Sequence, residues 1–237
     1  LATEFSELVK DDSLLEELEA QLTELEQHYL QAANKLNLSR KKAAKSFANQ
    51  VELHIHHMNM SDAVFKIDVE HHIQGTPNKL GLDSVQFLVS TNKGQALDNL
   101  EKVVSGGELS RIGLAIQVIS SSNNDIATMI FDEVDSGISG STASVVGQLL
   151  RKLGESAQVI CVTHLPQVAA RAQNQMFVTK FSDKKTTETH MICLQESERI
   201  EELSRLLARA KLTDSAIANA KESLQISNSQ QLAIDLL

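Results

Sequence analysis

The spacing of apolar residues along this chain changes near residue 60, and each spacing predicts a different kind of element. Up to residue 36, apolar positions recur every seven residues in two series. The series are Leu8, Leu15, Leu22, Tyr29 and Leu36, and Leu18, Leu25 and Ala32. This pattern is typical of the a and d positions of a coiled coil. Residues 3 to about 36 are therefore predicted to form one coiled-coil helix that needs a partner, with a long amphipathic surface helix as the alternative.

From Val64 onward, apolar and polar residues alternate, which is the period of a strand with one buried face. Two such runs, 64–70 and 85–89, flank a Gly-Thr-Pro-Asn turn signal and are predicted to pair as a hairpin. Helices and strands then alternate, which predicts a parallel sheet with crossover helices. The helices of this part are predicted at 106–121, 141–153 and 166–172, and its strands at 126–131 and 158–163. Two further strands, 176–181 and 187–194, flank a turn at 182–185, and helices at 197–210 and 214–224 follow. The sequence thus indicates a coiled-coil arm at 1–60 and an α/β domain at 61–237.

Composition narrows the class of protein. The 237 residues are 42% hydrophobic, which is enough to bury a core, and no stretch approaches the roughly 18 apolar residues of a membrane span. The net charge of −9 argues against a surface that grips nucleic acid everywhere, because lysine and arginine make phosphate contacts. Two basic clusters remain, as local DNA contacts or as ordinary solvated faces. They are Arg40, Lys41, Lys42 and Lys45, and Lys180, Lys184 and Lys185.

The two cysteines, Cys161 and Cys193, lie in apolar strand-like runs. The ordinary interpretation of such cysteines is a small buried hydrophobe in a reducing compartment, not a disulfide. The chain opens at Leu1 inside a charged helical pattern without signal-peptide character. We therefore expect a soluble fragment of a longer protein.

Ser105-Gly106-Gly107-Glu108 opens the predicted helix at 106–121. One interpretation is a capping box, in which Ser105 caps the helix and Glu108 reaches back. The other is an anion site, because two glycines expose backbone N–H groups where the helix dipole favours a phosphate. The four residues alone leave both interpretations open.

Asp132 and Glu133 end the apolar run 126–131. Carboxylates at the carboxyl end of a buried parallel strand lie where open α/β sheets bind ligands. There, Asp132 would help hold Mg²⁺ and Glu133 would orient or deprotonate water; an acidic strand end without function is the alternative. A Gly/Ser loop with Asp135 follows, and the next apolar strand ends at His164. The fixed order of these four elements argues against coincidence.

These motifs resemble the RecN family of ABC-type ATPases, bacterial double-strand-break repair proteins related to SMC proteins. The resemblance is carried by SGGELSR at 105–111, IFDEVDSGISG at 130–140 and VTHLPQVAA at 162–170. It extends to LSRKKAAKSF at 38–47, GLDSVQFLVS at 81–90 and DSAIANA at 214–220, and so covers most of residues 36–224. It implies an ABC-type ATPase head lobe, with a mostly parallel sheet and flanking helices, behind a coiled-coil arm.

The resemblance also implies a role for each motif. Ser105, Gly106 and Gly107, with Glu108, match the signature motif, which contacts the γ-phosphate of ATP held by an opposing head. Asp132 matches the Walker B aspartate that helps bind Mg²⁺, and Glu133 matches the glutamate that activates water. Asp135 matches the loop that crosses the dimer interface, and His164 matches the histidine that senses the γ-phosphate. Two such heads pair around ATP, and the complete protein acts on DNA ends in the cytoplasm, at the nucleoid, without a membrane partner.

One expected motif is missing from the sequence. The chain has no G-x-x-x-x-G-K-[ST] phosphate loop (Walker A), and Lys93-Gly94 does not replace it. In the family that loop precedes the arm, so we expect an N-terminal head lobe to supply it. The isolated chain is therefore predicted to bind little ATP and to hydrolyse none.

Three alternatives stay open. The first is an SMC-like structural tether, in which ATP only gates head pairing. The second is a transporter-type ABC subunit, against which the coiled-coil arm argues. The third is a metal-binding adaptor that uses the histidines, although their spacing matches no tight ligand pattern. Those histidines are His54, His56, His57, His71 and His72.

Overall fold

The computed structural model describes residues 2–103, 106–120, 126–182, 187–208 and 213–229. The chain divides into two compact units. Unit 1 comprises Leu1–Asn49 and Phe65–Leu88, and unit 2 comprises Gln50–Val64 and Val89–Leu237. The boundary between arm and head near residue 60 stays a prediction.

Unit 1 is dominated by the helix α1 (Ala2–His57), whose last turns belong to unit 2. The apolar heptad positions Leu15, Leu18, Leu22 and Leu25 are between 50% and 64% exposed. An exposed apolar seam is what a coiled-coil helix presents to a partner helix, so the coiled coil stays a prediction. The helix does not end where the seam ends, near residue 36. It continues because a second stripe at helical spacing becomes buried there, namely Ala33, Asn37, Ala44 and Ala48.

The predicted hairpin is present as β1 (Val64–His71) and β2 (Asp83–Ser90), and most of its residues belong to unit 1. The two strands are antiparallel neighbours, because Phe65 stacks on Phe87 at 5.9 Å and His71 pairs with Asp83 at the other end. Phe65 is buried as predicted. Phe87 and Val85 are 40% and 48% exposed, so the expectation of a buried face on the second strand is wrong for these two residues.

A buried carboxylate joins the hairpin to α1 inside unit 1. The Asp83 side chain is inaccessible to solvent, and its oxygens accept hydrogen bonds from Asn37 Nδ2 at 2.7 Å and Arg40 Nη1 at 3.0 Å. His71 Nδ1 lies 2.6 Å from Asp83 Oδ1, and His71 Nε2 lies 3.1 Å from Asn34 Oδ1 on α1. Arg40 is therefore engaged inside the protein and does not belong to a free basic cluster, whereas Lys41, Lys42 and Lys45 are exposed.

Unit 2 contains the alternating helices and strands that the sequence predicts. Its elements are β3 (Asp98–Asn99), α2 (Leu100–Val103), α3 (Gly106–Ser120), β4 (Thr128–Phe131), α4 (Gly140–Leu153), β5 (Gln158–Cys161), α5 (Pro166–Ala169), β6 (Met176–Ser182), β7 (Thr187–Cys193), α6 (Glu196–Ala208) and α7 (Asp214–Ser229). Only β3 and α2, which are short, were not predicted. The α/β class is confirmed.

Four of the strands of unit 2, β4 to β7, form two pairs. β4 and β5 are parallel, from Thr128 opposite Gln158 to Phe131 opposite Cys161, and α4 is the crossover between them. β6 and β7 are antiparallel, from Met176 opposite Cys193 to Ser182 opposite Thr187. Both directions agree with the order of elements in the sequence.

The helices of unit 2 pack their apolar faces together. α3 packs on α4, α4 on α5, and α6 on α7. The last pair buries a small cluster with α5, formed by Ala169, Ala170, Leu203, Ala220 and Leu224. In the described ranges, no helix is long and apolar enough to span a bilayer.

Candidate functional site

The acidic pair follows β4 at the edge where the neighbouring strand also ends. Val162 N donates to Phe131 O at 3.0 Å, which continues the ladder one residue beyond β5. Because the strands are parallel, Asp132 and the segment that starts at Thr163 emerge from the same edge. The acidic pair and the segment that carries His164 are therefore neighbours at one edge of the sheet.

Asp132 is exposed and is fastened through its backbone. Its carbonyl oxygen accepts a hydrogen bond from Ser110 Oγ of α3 at 2.7 Å. Its Oδ1 accepts the Glu133 N–H at 2.9 Å. The backbone is held while most of the carboxylate faces solvent, which suits a group that contributes one oxygen to a hydrated cation.

Glu133 has an uncommon backbone conformation. Its φ is +57°, in the left-handed region that side chains other than glycine rarely adopt, at a cost of about 1 kcal/mol. Its carboxylate lies against the start of α3, because a Cβ on Gly106 would overlap Glu133 Oε2. Gly106 thus leaves room for an exposed carboxylate at the helix N-terminus.

Asp135 connects the loop to the end of β5. Its side chain is 3% exposed, and its Oδ2 accepts hydrogen bonds from Thr163 Oγ1 at 2.5 Å and from His164 N at 3.1 Å. His164 Nδ1 lies 3.3 Å from the same oxygen, although the imidazole is 71% exposed. The buried carboxylate therefore positions a histidine whose ring still faces solvent.

Cys161 lies near these carboxylates, at the end of β5. Burial, and then the charges of Asp135 and Asp132, raise the pKa of the Cys161 thiol to about 12. A thiol that stays protonated near neutral pH is a poor nucleophile. Cys161 is half-buried, where a buried cysteine was predicted. Cys193 is exposed, so the prediction that it is buried is wrong.

Known proteins provide an independent comparison with this chain. No family model matches it. It is 48% identical to the DNA repair protein RecN of Vibrio cholerae over 224 residues, which is 94% of the chain and 40% of that protein. It is 35% identical to the DNA repair protein RecN of Bacillus subtilis over 235 residues, 94% of the chain and 41% of that protein.

This chain belongs to the RecN family. It spans about two fifths of the length of these relatives. Among solved structures it is similar in fold to the Smc head domain of Pyrococcus yayanosii, a crystal structure with a coiled coil and joint. The TM-score is 0.56 at 15% sequence identity, over 82% of this chain and 35% of that one. The predicted head-lobe fold is confirmed.

The described site residues that the RecN-family resemblance implies lie in unit 2, and two pairs of them are in contact. Gly106 meets Glu133, and Asp135 meets His164. Ser105 lies outside the described residues, so the capping-box alternative for it stays open. Glu108 is half-buried in the first turn of α3.

Four further polar residues hold this RecN-family site together, and the sequence interpretation missed their roles. They are Ser110, Arg111, Ser136 and Thr163. All four lie inside the motif stretches, but a motif identifies a residue without showing which groups its side chain contacts. Arg111 follows Gly107 by four residues, a spacing that places both on one face of a helix. For Arg111, this spacing was the available signal in the sequence.

The histidines make separate contacts in the two units. In unit 2, His56 Nε2 lies 2.7 Å from Ala63 O, and burial lowers the pKa of His54. In unit 1, His71 pairs with Asp83, and His72 Nε2 lies 2.9 Å from Ser84 Oγ. Within the part of the chain that the structure describes, no three His, Cys, Asp or Glu side chains are grouped as metal ligands. The geometry gives no support to the metal-binding alternative.

Replacing Asp135 with alanine is expected to lower the free energy of unfolding by about 2 kcal/mol. The Thr163 hydroxyl and the His164 N–H would lose their buried acceptor, and each unsatisfied group is unfavourable by about 1–3 kcal/mol. Urea unfolding followed by circular dichroism measures the loss. With Thr163→Val as the background, the loss from Asp135→Ala should shrink, because one donor is already absent. Additive losses would show that the two side chains do not interact.

Proposed function

We propose that this chain is part of the ATP-hydrolysing head of a RecN-family protein that acts in recombinational repair of DNA double-strand breaks. Similarity to proteins named DNA repair protein RecN over 94% of the chain supports the repair role. The observation that carries the chemistry is the position of Glu133. Its exposed carboxylate follows a parallel strand and lies against the glycine start of α3. The complete protein would work in the cytoplasm, at the nucleoid.

Asp132 is the residue that would help hold Mg²⁺. Mg²⁺ in nucleotide sites keeps several waters and binds through one or two carboxylates together with phosphate oxygens. The exposed Asp132 carboxylate, on a backbone fastened by Ser110, fits that pattern. When bound, the ion neutralises charge on the phosphates.

Glu133 would orient and deprotonate the attacking water. A general base must come within hydrogen-bond reach of the proton that it removes, and an exposed carboxylate on a constrained backbone is suited to that. His164 would sense the γ-phosphate, because its imidazole faces solvent while Asp135 holds its backbone. Asp135 is proposed to lie in the loop that crosses to the second head.

The start of α3 would contact the γ-phosphate of ATP held by that second head. Ser105, Gly106, Gly107 and Glu108 form this segment, and a helix N-terminus favours an anion. Gly106 is exposed and, being glycine, has no side chain that could cover its N–H. Two heads would pair as a homodimer around two ATP molecules and separate after hydrolysis.

The phosphate loop would come from another part of the complete protein. The sequence contains no Walker A motif, and the described residues suggest no substitute for its nest of amides and lysine. We propose that an N-terminal head lobe supplies it. The exposed heptad seam of α1 supports an arm, so a tether in which ATP only gates head pairing is the second candidate. Slow turnover with strong DNA-dependent assembly would favour the tether.

The complete protein and this isolated chain should differ in ATP binding and in ATP hydrolysis. The complete protein is expected to bind ATP and hydrolyse it. The isolated chain, once circular dichroism shows that it is helical, is expected to bind little ATP and to hydrolyse none. Equilibrium binding of a fluorescent ATP analogue and phosphate release are the measurements. Tight binding by the chain alone would refute a separate phosphate loop, and a complete protein without turnover would refute the ATPase assignment.

A further inference from the structure

Arg111 is a buried arginine on the helix that opens with the two glycines. It is 6% exposed, which is rare for arginine. It lies four residues after Gly107, and long side chains on a helix lean toward its N-terminus. The guanidinium accordingly reaches back along α3, so that its Nη1 would be 3.3 Å from a Cβ placed on Gly107.

The guanidinium holds the backbone of the loop that carries Glu133 and Asp135. Arg111 Nη1 donates to Ser136 O at 2.6 Å, and Ser136 N donates to Glu133 O at 3.0 Å. A Cβ on Gly107 would also lie only 2.9 Å from Ser136 Cβ. Helix start and loop are therefore in direct contact. Arg111 supplies a hydrogen bond to the far side of the loop, and Ser110 Oγ supplies another to Asp132 O, just before it.

Burying a charged side chain to make this connection is energetically unfavourable. Burial lowers the pKa of Arg111, and the nearby charge of Glu108 partly opposes that shift. Arg111 Nε is buried and has no hydrogen-bond partner among the described residues. Burying a charge that is only partly paired has an unfavourable desolvation free energy, which an apolar side chain of similar length would avoid. This points to a role beyond stability.

We infer that Arg111 is a positioning residue that locks the glycine start of α3 to the 133–136 loop. The two segments then face a neighbouring head as one rigid surface. This inference rests on the proposed function, in which both segments meet the second head. Arg111 acts through Ser136 and does not touch the nucleotide.

The test uses the complete protein with Arg111→Met, which keeps the length of the side chain and removes its charge and donors. The kcat for ATP hydrolysis is expected to fall about tenfold, within the loss that a displacement of about 1 Å can cause. The KM for ATP should change less than twofold, because another part of the head holds the nucleotide. Arg111→Lys should recover part of kcat, since its ammonium can still donate to Ser136 O. Unchanged kcat in Arg111→Met, or no recovery in a folded Arg111→Lys, would overturn the inference.

Arg199 on α6 provides a matched control. It is half-buried and donates to the backbone carbonyls Ala172 O at 2.8 Å and Gln173 O at 3.3 Å, where Arg111 donates to one carbonyl. Its Nε, like that of Arg111, is buried without a partner among the described residues. Arg199→Met should lower thermal stability about as much as Arg111→Met while leaving kcat near the wild-type value. An equal loss of kcat in both variants would mean that destabilisation alone explains the result, and would refute a positioning role.

Hydrogen exchange separates this inference from the proposed function. In the nucleotide-free complete protein, Arg111→Met should speed amide exchange in residues 133–138, and Arg199→Met should not. Exchange at the wild-type rate would refute the lock whatever the ATPase result. If the wild type does not hydrolyse ATP, the proposed function fails, and the exchange rates still decide whether Arg111 positions the loop.

Discussion

Glu133→Gln in the complete protein is expected to retain ATP binding and to slow hydrolysis by about two to four orders of magnitude. General-base catalysis contributes a factor of that size, and glutamine cannot take a proton from water. The substitution preserves the shape of the side chain, so the contact with Gly106 and the backbone at φ +57° should persist. Single-turnover hydrolysis and nucleotide binding measure the two effects separately.

Glu155→Gln is the control for that experiment. Glu155 is exposed in the same unit, beyond the end of α4, and lies outside every motif. Its substitution removes the same charge and should leave turnover unchanged. If Glu133→Gln also hydrolysed ATP at the wild-type rate, Glu133 would have no place in the mechanism. Weak ATP binding by the variant would instead assign Glu133 to binding.

Asp83→Ala is expected to lower the free energy of unfolding of unit 1 by about 3 kcal/mol. The substitution leaves Arg40 and His71 partly buried without their carboxylate, and breaking a buried ion pair is unfavourable by about 3–5 kcal/mol. The lower end applies because 29% of the Arg40 side chain is exposed. Hydrogen exchange of the α1 amides at residues 34–40 reports on this unit. Asp68→Ala is the control, because the Asp68 pair with Lys66 is about half exposed and should contribute 1 kcal/mol at most, on the order of surface pairs.

The contribution of Asp83 should depend on pH with a defined sign. Burial, the largest single influence, raises the pKa of Asp83, but its three hydrogen bonds outweigh burial and the pKa lies below the ordinary value. A carboxylate with a depressed pKa stabilises the folded state fully above the unfolded pKa of about 3.9, and this stability is lost as the pH falls through the folded pKa. The difference between wild type and Asp83→Ala should therefore shrink as the pH falls below about 4. A difference that did not shrink below that pH would contradict the assigned charge state.

The order of helices and strands and the positions of the motifs could be predicted from the sequence alone. Both depend on short-range rules, because the heptad spacing before residue 36 and the alternation after Val64 follow from the geometry of a helix and a strand. The order of elements likewise predicted the parallel pairing of β4 with β5. The RecN-family motifs identify Asp132, Glu133, Asp135 and His164 as site residues from the sequence.

The burial of individual residues depends on which face of a strand or helix packs against the rest of the protein. Val85 and Phe87 follow the alternating pattern of a buried face but are exposed, because a period of two cannot tell which face is covered. The heptad stripe of α1 is exposed, and a different stripe becomes buried from Ala33 onward, although the helix is unbroken. The heptad pattern could not show where that helix ends.

The pairing of the polar groups follows from long-range contacts that local patterns do not predict. Arg111 meets Ser136, Asp135 meets Thr163, and Asp83 meets Arg40, across separations of 25, 28 and 43 residues. The left-handed backbone of Glu133 also appears only in the folded chain. The local elements and the chemistry that they carry were predictable from residue patterns, because backbone hydrogen bonding and side-chain periodicity act over a few residues. The site geometry required the fold, because a buried charge finds its partner through the path of the whole chain.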